Sequence, residues 1–335
     1  MSAARPPEGA RTEARQGEGI PMSDTAIRRV GVVGTGVIGA SWAAFFLARG
    51  LDVTATDPAP GAEQRLHDAV QRHWPTMQRM GLAEGASPDR LRFEPQLERA
   101  LDGCDFVQES GPERADFKAE LYARMDAATP PQVLLASSSS GLPVSGMQVR
   151  CEAPQRVVLG HPFNPPHLIP LVEVGGGEAT SPESIRRAMD FYAALGKRPI
   201  HVRCEILGHI ANRLQAALWR EAFHLVDQGV ASVADIDTAI AHGPGLRWAL
   251  MGPFMNLHLS GGEGGMQHLL EHLGGPIESW WRDLGDPSMT AELKARVVQG
   301  VADERGARRE EALERTRDDL LIDLMRAKAA GGTLP

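Results

Sequence analysis

Apolar and polar positions fall into a regular pattern from Ile27 onward. A short apolar run, Val30 to Val33, leads into a glycine turn, a helical stretch from Ile38 to Arg49 stopped by Gly50, and a second strand closing at Asp57. That succession is one β-α-β unit. Further apolar runs at Asp105 to Gln108, Val133 to Ala136 and Val157 to Leu159, separated by helical stretches such as Ala115 to Ala128, predict a doubly wound parallel sheet of the α/β class. Val172 to Val174 and Ile200 to Val202 add two more strands. Beyond Cys204 the strand signals stop, and Leu207, Ile210, Leu214, Leu218 and Leu225 recur at helical spacing. Ser232, with Asp235 three residues on, predicts an N-cap for a helix over Val233 to Ala241, and a last helix carries Leu313, Leu320, Leu321, Leu324 and Met325 before Gly331. The chain is expected to hold a sheet domain over 27–205 and an all-α domain over 206–330.

Composition narrows the function. With 335 residues, 42% of them hydrophobic, the chain is long enough to bury two cores. A net charge of -8 without a basic run argues against nucleic acid as a partner, since phosphate binding is carried by clustered Lys and Arg. No apolar run approaches the roughly 20 residues needed to span a bilayer, so no membrane partner is expected. Cys104, Cys151 and Cys204 are widely spaced and form no C-x-x-C pair; they read as reduced thiols of a cytoplasmic protein, with no metal site. Residues 1–26, rich in Ala, Arg, Glu, Gly and Pro, are expected to be a disordered tail. An organelle leader is the alternative, and Glu8, Glu13 and Glu18 count against it.

The chemistry starts at the first turn. Gly34-Thr35-Gly36-Val37-Ile38-Gly39 is G-x-G-x-x-G between a predicted strand and a predicted helix, the context that makes this motif specific for a dinucleotide. Gly34 allows the tight turn, Gly36 lets the backbone approach a pyrophosphate, and Gly39 lets helix pack on strand. Asp57, at the end of the second strand, can accept bonds from the adenine ribose hydroxyls and repels a 2′-phosphate, which favours NAD over NADP.

A second group of residues suggests proton transfer. His161 follows the run Val157 to Leu159 and opens a segment stiffened by Pro162, Pro165 and Pro166, where an imidazole can be held in one orientation. Its ordinary pKa suits a base that takes the proton of an alcohol. Glu173 is an acid inside the apolar strand Leu171-Val172-Glu173-Val174, and a buried carboxylate calls for a partner such as histidine; an edge-strand Glu facing water is the alternative. The serine run Ser137 to Ser140 ends another strand, where hydroxyls reach cofactor and substrate unless the run is a plain polar turn.

Taken together, G-x-G-x-x-G, Gln108-Glu109-Ser110-x-Pro112-Glu113, the serine run, His161-Pro162-Phe163-Asn164-Pro165, Leu171-Val172-Glu173-Val174 and Asn212-Arg213-Leu214 resemble the 3-hydroxyacyl-CoA dehydrogenase superfamily from about Arg28 to Lys328. The resemblance implies a Rossmann-like domain joined to a helical domain that forms a homodimer. It implies a base at His161, its partner acid at Glu173, a serine bonding the substrate oxygen at Ser140, and Asn212 completing that site. Val37 and Ile38 lie with the glycines in the implied NAD turn; Glu113 and Lys118 line the nicotinamide half of the pocket, with Asn164 near the carboxamide.

The C-terminal half, with Leu246-Arg247-Trp248 before Met251-Gly252-Pro253-Phe254, resembles the branches acting on small CoA-free 3-hydroxy acids, of the carnitine and gulonate (lambda-crystallin) type. NAD-dependent oxidation of a 3-hydroxyl to the 3-oxo acid is the activity implied. Arg247 is the candidate anchor for a free carboxylate, a surface ion pair being the alternative. Trp248, with Trp219, Trp280 and Trp281, is a candidate aromatic cage for a quaternary ammonium, with core or dimer packing as the alternative. A 3-hydroxyacyl-CoA dehydrogenase would instead need a basic surface near the helix Ala62 to Met80, which offers Arg65, Arg72 and Arg79. A non-catalytic, crystallin-like structural protein would not need His161, Glu173, Ser140 and Asn212 together.

Overall fold

The structure is a computed structural model that describes residues 27–331; the predicted tail over 1–26 lies outside the described residues. The first part of the chain runs β1 (Arg29–Val33), α1 (Val37–Ala48), β2 (Asp52–Thr56), α2 (Ala62–Met80), β3 (Leu91–Phe93), α3 (Leu97–Ala100), β4 (Phe106–Glu109), α4 (Ala115–Ala128), β5 (Leu134–Ser137) and α5 (Val144–Gln148). It continues through β6 (Val157–Pro162), β7 (Leu171–Gly176), α6 (Pro182–Ala194) and β8 (Arg198–Val202). Helices follow: α7 (Ala211–Asp227), α8 (Val233–His242), α9 (Pro244–Trp248), α10 (Pro253–Ser260), α11 (Gly265–Asp283), α12 (Ala291–Arg305) and α13 (Glu310–Gly331). A Rossmann-like sheet domain thus precedes a helical one.

The strands form one eight-stranded sheet in the order β3-β2-β1-β4-β5-β6-β7-β8. Strands β4, β5 and β6 are buried along their whole length, which is why they read as continuous apolar runs rather than alternating ones. Helix α1 is apolar on every side because almost all of it is enclosed; Trp42 stacks on Phe46 at 5.1 Å between ring centroids, and Tyr192 of α6 closes over Trp42 at 5.7 Å. Strand β3, three residues long, is too short to show a period in the sequence.

The sheet departs from the predicted all-parallel arrangement at β7, which runs antiparallel to β6. The link from Phe163 to Pro170 is too short for a parallel crossover, which needs about a dozen residues, and serves only to turn the chain back. The new partner also lengthens β6, so His161 lies inside the strand and not after it. His161 stands directly opposite Glu173 in the ladder.

In the helical half the predicted cap is present. The Ser232 hydroxyl accepts from the Asp235 N–H at 3.1 Å and the Asp235 carboxylate accepts from the Ser232 N–H at 3.3 Å, closing a capping box on α8. Few side chains here are fully buried, Val226, Leu269, Leu293 and Ile322 among them, while Leu214, Trp219, Phe254 and Trp280 are exposed.

One glycine tests the packing of the first unit. A Cβ on Gly39 would stand 1.8 Å from the carbonyl oxygen of Gly34, a backbone atom that cannot swing aside. Gly39→Ala should therefore lower unfolding free energy by at least the ~1–3 kcal/mol typical of overpacking, read from urea denaturation of the apo protein.

Candidate active site

The glycine turn is shaped by three different constraints. Gly34 has φ +89°, and a Cβ there would lie 2.7 Å from the Ser110 carbonyl oxygen, so the turn needs glycine. A Cβ on Gly36 would meet no atom within 4 Å, leaving open space over the start of α1, and Gly39 allows the contact described above. Helix α1 has no side-chain cap and no acid in its first turn, and Val37 there is 73% exposed while Ile38 is half-buried. Its first N–H groups remain available to an anion. Asp57 comes one residue after β2; its carboxylate accepts from the Thr35 N–H at 2.8 Å and the Ala59 N–H at 2.8 Å. The residues present fit a dinucleotide with its pyrophosphate on α1 and its adenine ribose beside Asp57.

The antiparallel pairing of β6 and β7 builds the second element. His161 Nδ1 lies 2.7 Å from Glu173 Oε2, with both side chains buried. A carboxylate only accepts, so Nδ1 carries the proton and Nε2 presents its lone pair. Glu173 Oε1 accepts from the backbone N–H groups of Ile210 and Ala211, both at 2.9 Å, at the start of α7. Burial alone would raise the Glu173 carboxyl; the bonds from His161, Ala211 and Ile210 outweigh it and hold the group below its ordinary range.

The loop after β5 forms a third wall. The Glu113 carboxylate accepts from the Ser139 hydroxyl at 2.6 Å and from the N–H groups of Ser140 and Gly141 at 3.0 and 3.1 Å, fixing the serine turn. Asn212 Nδ2 donates to the Ser140 carbonyl at 3.3 Å, and Ser140 itself is exposed. Lys118 is buried under this turn; its ammonium lies 2.7 Å from Glu109 and 3.7 Å from Glu113. Glu109 also accepts from Tyr122 and Ser137 hydroxyls and from the Gly111 N–H.

His161, Glu173, Asn212, Ser140, Glu113 and Lys118 are thus linked through one connected set of bonds. Asn164 is exposed in the loop after β6. Arg247 and Trp248 are not joined to that set: both are exposed on α9, and the Arg247 guanidinium makes no hydrogen bond among the described residues. Two further members of the site were given no role by the sequence. Glu109, an acid ending the apolar strand β4, carries the same signal that singled out Glu173. His209, buried, with φ +50° and its Nε2 3.0 Å from the Ser139 carbonyl, lies 5.2 Å from the His161 ring and has no comparable signal in sequence. Burial lowers its pKa, so it is neutral and donates from Nε2 to that carbonyl.

The sheet, the glycine turn and the acid that closes β2 define a dinucleotide-dependent oxidoreductase. Within that class the chain belongs to the 3-hydroxyacyl-CoA dehydrogenase family, whose NAD-binding domain matches residues 29–205 and whose C-terminal domain matches residues 208–299. It is similar to the L-carnitine dehydrogenase of Streptomyces coelicolor, 52% identical over 301 residues that cover 90% of this chain and 95% of the relative. The L-carnitine dehydrogenase of Pseudomonas aeruginosa is 49% identical over 303 residues, covering 90% of this chain and 94% of the relative. Among solved structures it resembles 5-formyl-3-hydroxy-2-methylpyridine 4-carboxylic acid 5-dehydrogenase, an NAD+-dependent dismutase, with TM-score 0.78, 29% identity and coverage of 91% of this chain and 99% of that one. The chain is an NAD-dependent oxidoreductase acting on CH–OH groups.

The position of Asp57 predicts cofactor choice. Asp57→Ala should weaken NAD binding more than NADP binding in a fluorescence titration with the reduced forms, because the carboxylate is both an acceptor for the ribose and a repellent for the 2′-phosphate. Equal losses for the two cofactors would remove that role.

Proposed function

We propose that this enzyme oxidises the 3-hydroxyl of a small CoA-free hydroxy acid of the carnitine type, with His161 as general base and Glu173 as the acid that orients it. The observation that carries the proposal is the buried His161–Glu173 pair, whose geometry leaves Nε2 free to take a proton. Bound NAD supplies the hydride acceptor. As Nε2 takes the hydroxyl proton, imidazolium forms against the Glu173 carboxylate, which stabilises the charge without itself becoming protonated. Ser140 and Asn212, on the serine turn and the first turn of α7, would hold the substrate oxygen, and Glu113, Lys118 and Asn164 would border the nicotinamide.

Substrate class rests on the L-carnitine dehydrogenase relatives and on two local features. The Arg247 guanidinium is in no ion pair among the described residues and can take a carboxylate through two parallel bonds. Trp248, Trp219, Trp280 and Trp281 are exposed aromatic faces suited to a trimethylammonium group. On α2, Arg79 pairs with Asp319, leaving Arg65 and Arg72 as the cations of that surface without an acidic partner among the described residues. Chain segments 27–205 and 206–330 act as cofactor and substrate domains. The exposed apolar side chains of the latter support a homodimer formed through it. Parallel assays of NADH formation with carnitine, gulonate, free 3-hydroxybutyrate and 3-hydroxybutyryl-CoA test the substrate class; preference for the thioester would overturn it.

His161→Ala should cost about 10²–10⁴-fold in kcat with NAD affinity unchanged, and near-normal turnover would sink the assignment of the base. Glu173→Gln should lower kcat in the same direction. Because the folded Glu173 titrates below its unfolded counterpart, its contribution to stability is complete above the unfolded value and is lost as pH falls through the folded one. The gap in melting temperature between wild type and Glu173→Gln should accordingly be constant above the ordinary glutamate value of about 4.3 and narrow only at lower pH. For Arg247→Lys the expected change is a large rise in KM for the free acid with little change for NAD, since an ammonium cannot reproduce the bidentate contact.

A further inference from the structure

A cavity of about 580 Å³ lies between the C-terminal part of α1, the loop before β7, the start of β8 and the end of α13. Its apolar walls include Phe45, Met80 and Met325, and its polar walls are Arg49, Lys197, Arg198, Lys328 and His167, the last held neutral by burial and the neighbouring charges, with no carboxylate among the lining residues. Helix α1 has 12 residues, so Arg49 at its far end stands about 18 Å from the glycine turn. The cavity is therefore separate from the glycine turn.

The charges around it lack counterions. Lys197 is 4% exposed, yet its ammonium has only carbonyl partners, Pro166 and Ile169, and two aromatic faces, Phe45 at 4.0 Å and Trp42 at 5.1 Å. Arg49 Nε is buried without any hydrogen-bond partner. Among the described residues Lys197, Arg198, Arg49 and Lys328 enter no ion pair; Arg49 and Lys328 donate only to the carbonyls of Gly81 and Ala249. Buried cations are rare unless paired, and cations gathered about one cavity repel one another until an anion joins them. Burial and the Arg49 charge lower the Lys197 amine to about 7, the direction expected of a site that lacks its anion.

We propose that this cavity binds a small organic anion, a carboxylate or phosphate carried on an apolar body, with the charge at Arg49, Lys197, Arg198 and Lys328 and the body against Phe45, Met80 and Met325. Such a ligand would bridge the sheet domain and α13. The probes are hexanoate, hexyl phosphate, hexan-1-ol and hexyltrimethylammonium, titrated calorimetrically into the full-length enzyme saturated with NAD. One or both anions should bind saturably, one per chain, more weakly at high salt and more weakly as pH rises above about 7, where Lys197 loses its proton. The alcohol and the ammonium should not bind. Which anion binds distinguishes a carboxylate from a phosphate ligand. Arg198→Gln should weaken binding about tenfold or more while leaving basal turnover unchanged, as expected for loss of a charge-assisted contact. Met325→Trp, which fills the cavity and keeps every charge, should abolish it. Equal binding of hexan-1-ol, unchanged anion affinity in both variants, or no saturable binding of either anion would overturn the proposal.

Discussion

The carboxylate of Glu173 is the constraint on which the site depends. One oxygen accepts from the His161 imidazole and the other from two N–H groups at the start of α7, so a single buried acid both orients that imidazole and ties the helical half to the sheet. A carboxylate removed from water must have its lone pairs satisfied, and these donors come from segments far apart in sequence. The pairing works because β6 and β7 are antiparallel and in register at these residues, which brings side chains on one face into direct contact across the ladder.

The same rule organises the neighbouring wall. Glu109 is buried at the end of β4, where Lys118, Tyr122, Ser137 and the Gly111 N–H satisfy it. Above it, Glu113 gathers the N–H groups of the serine turn. Buried acids at the end of β4 and within β7 thus hold neighbouring loops and helix starts in place. The cationic cavity beside α1 reverses this pattern, for its charges have no acidic partner among the described residues.

The two halves are stabilised differently. The sheet domain encloses α1 and its aromatic cluster almost completely, whereas the helical half leaves Leu214, Trp219, Phe254, Trp280 and other large apolar groups facing outward. A helix bundle with so few enclosed side chains gains little hydrophobic free energy alone, and its stability depends on what covers those faces.

The sequence by itself determined what local pattern controls. The β-α-β unit, the glycine turn with Asp57, the bounds of α2 and α4 and the Ser232–Asp235 cap follow from periodicity, backbone freedom and capping, all set by residues within a few positions of one another. An acid in an apolar strand and a histidine in a rigid segment are likewise legible as hydrogen-bonded partners. Tertiary structure decided the rest: that β7 turns back on β6, that His161 lies within the strand, that Glu173 also receives the first turn of α7, that His209 holds the serine turn, and that four cations meet around one cavity. Each of these depends on register and packing between segments distant along the chain, and neither residue type nor spacing carries that information.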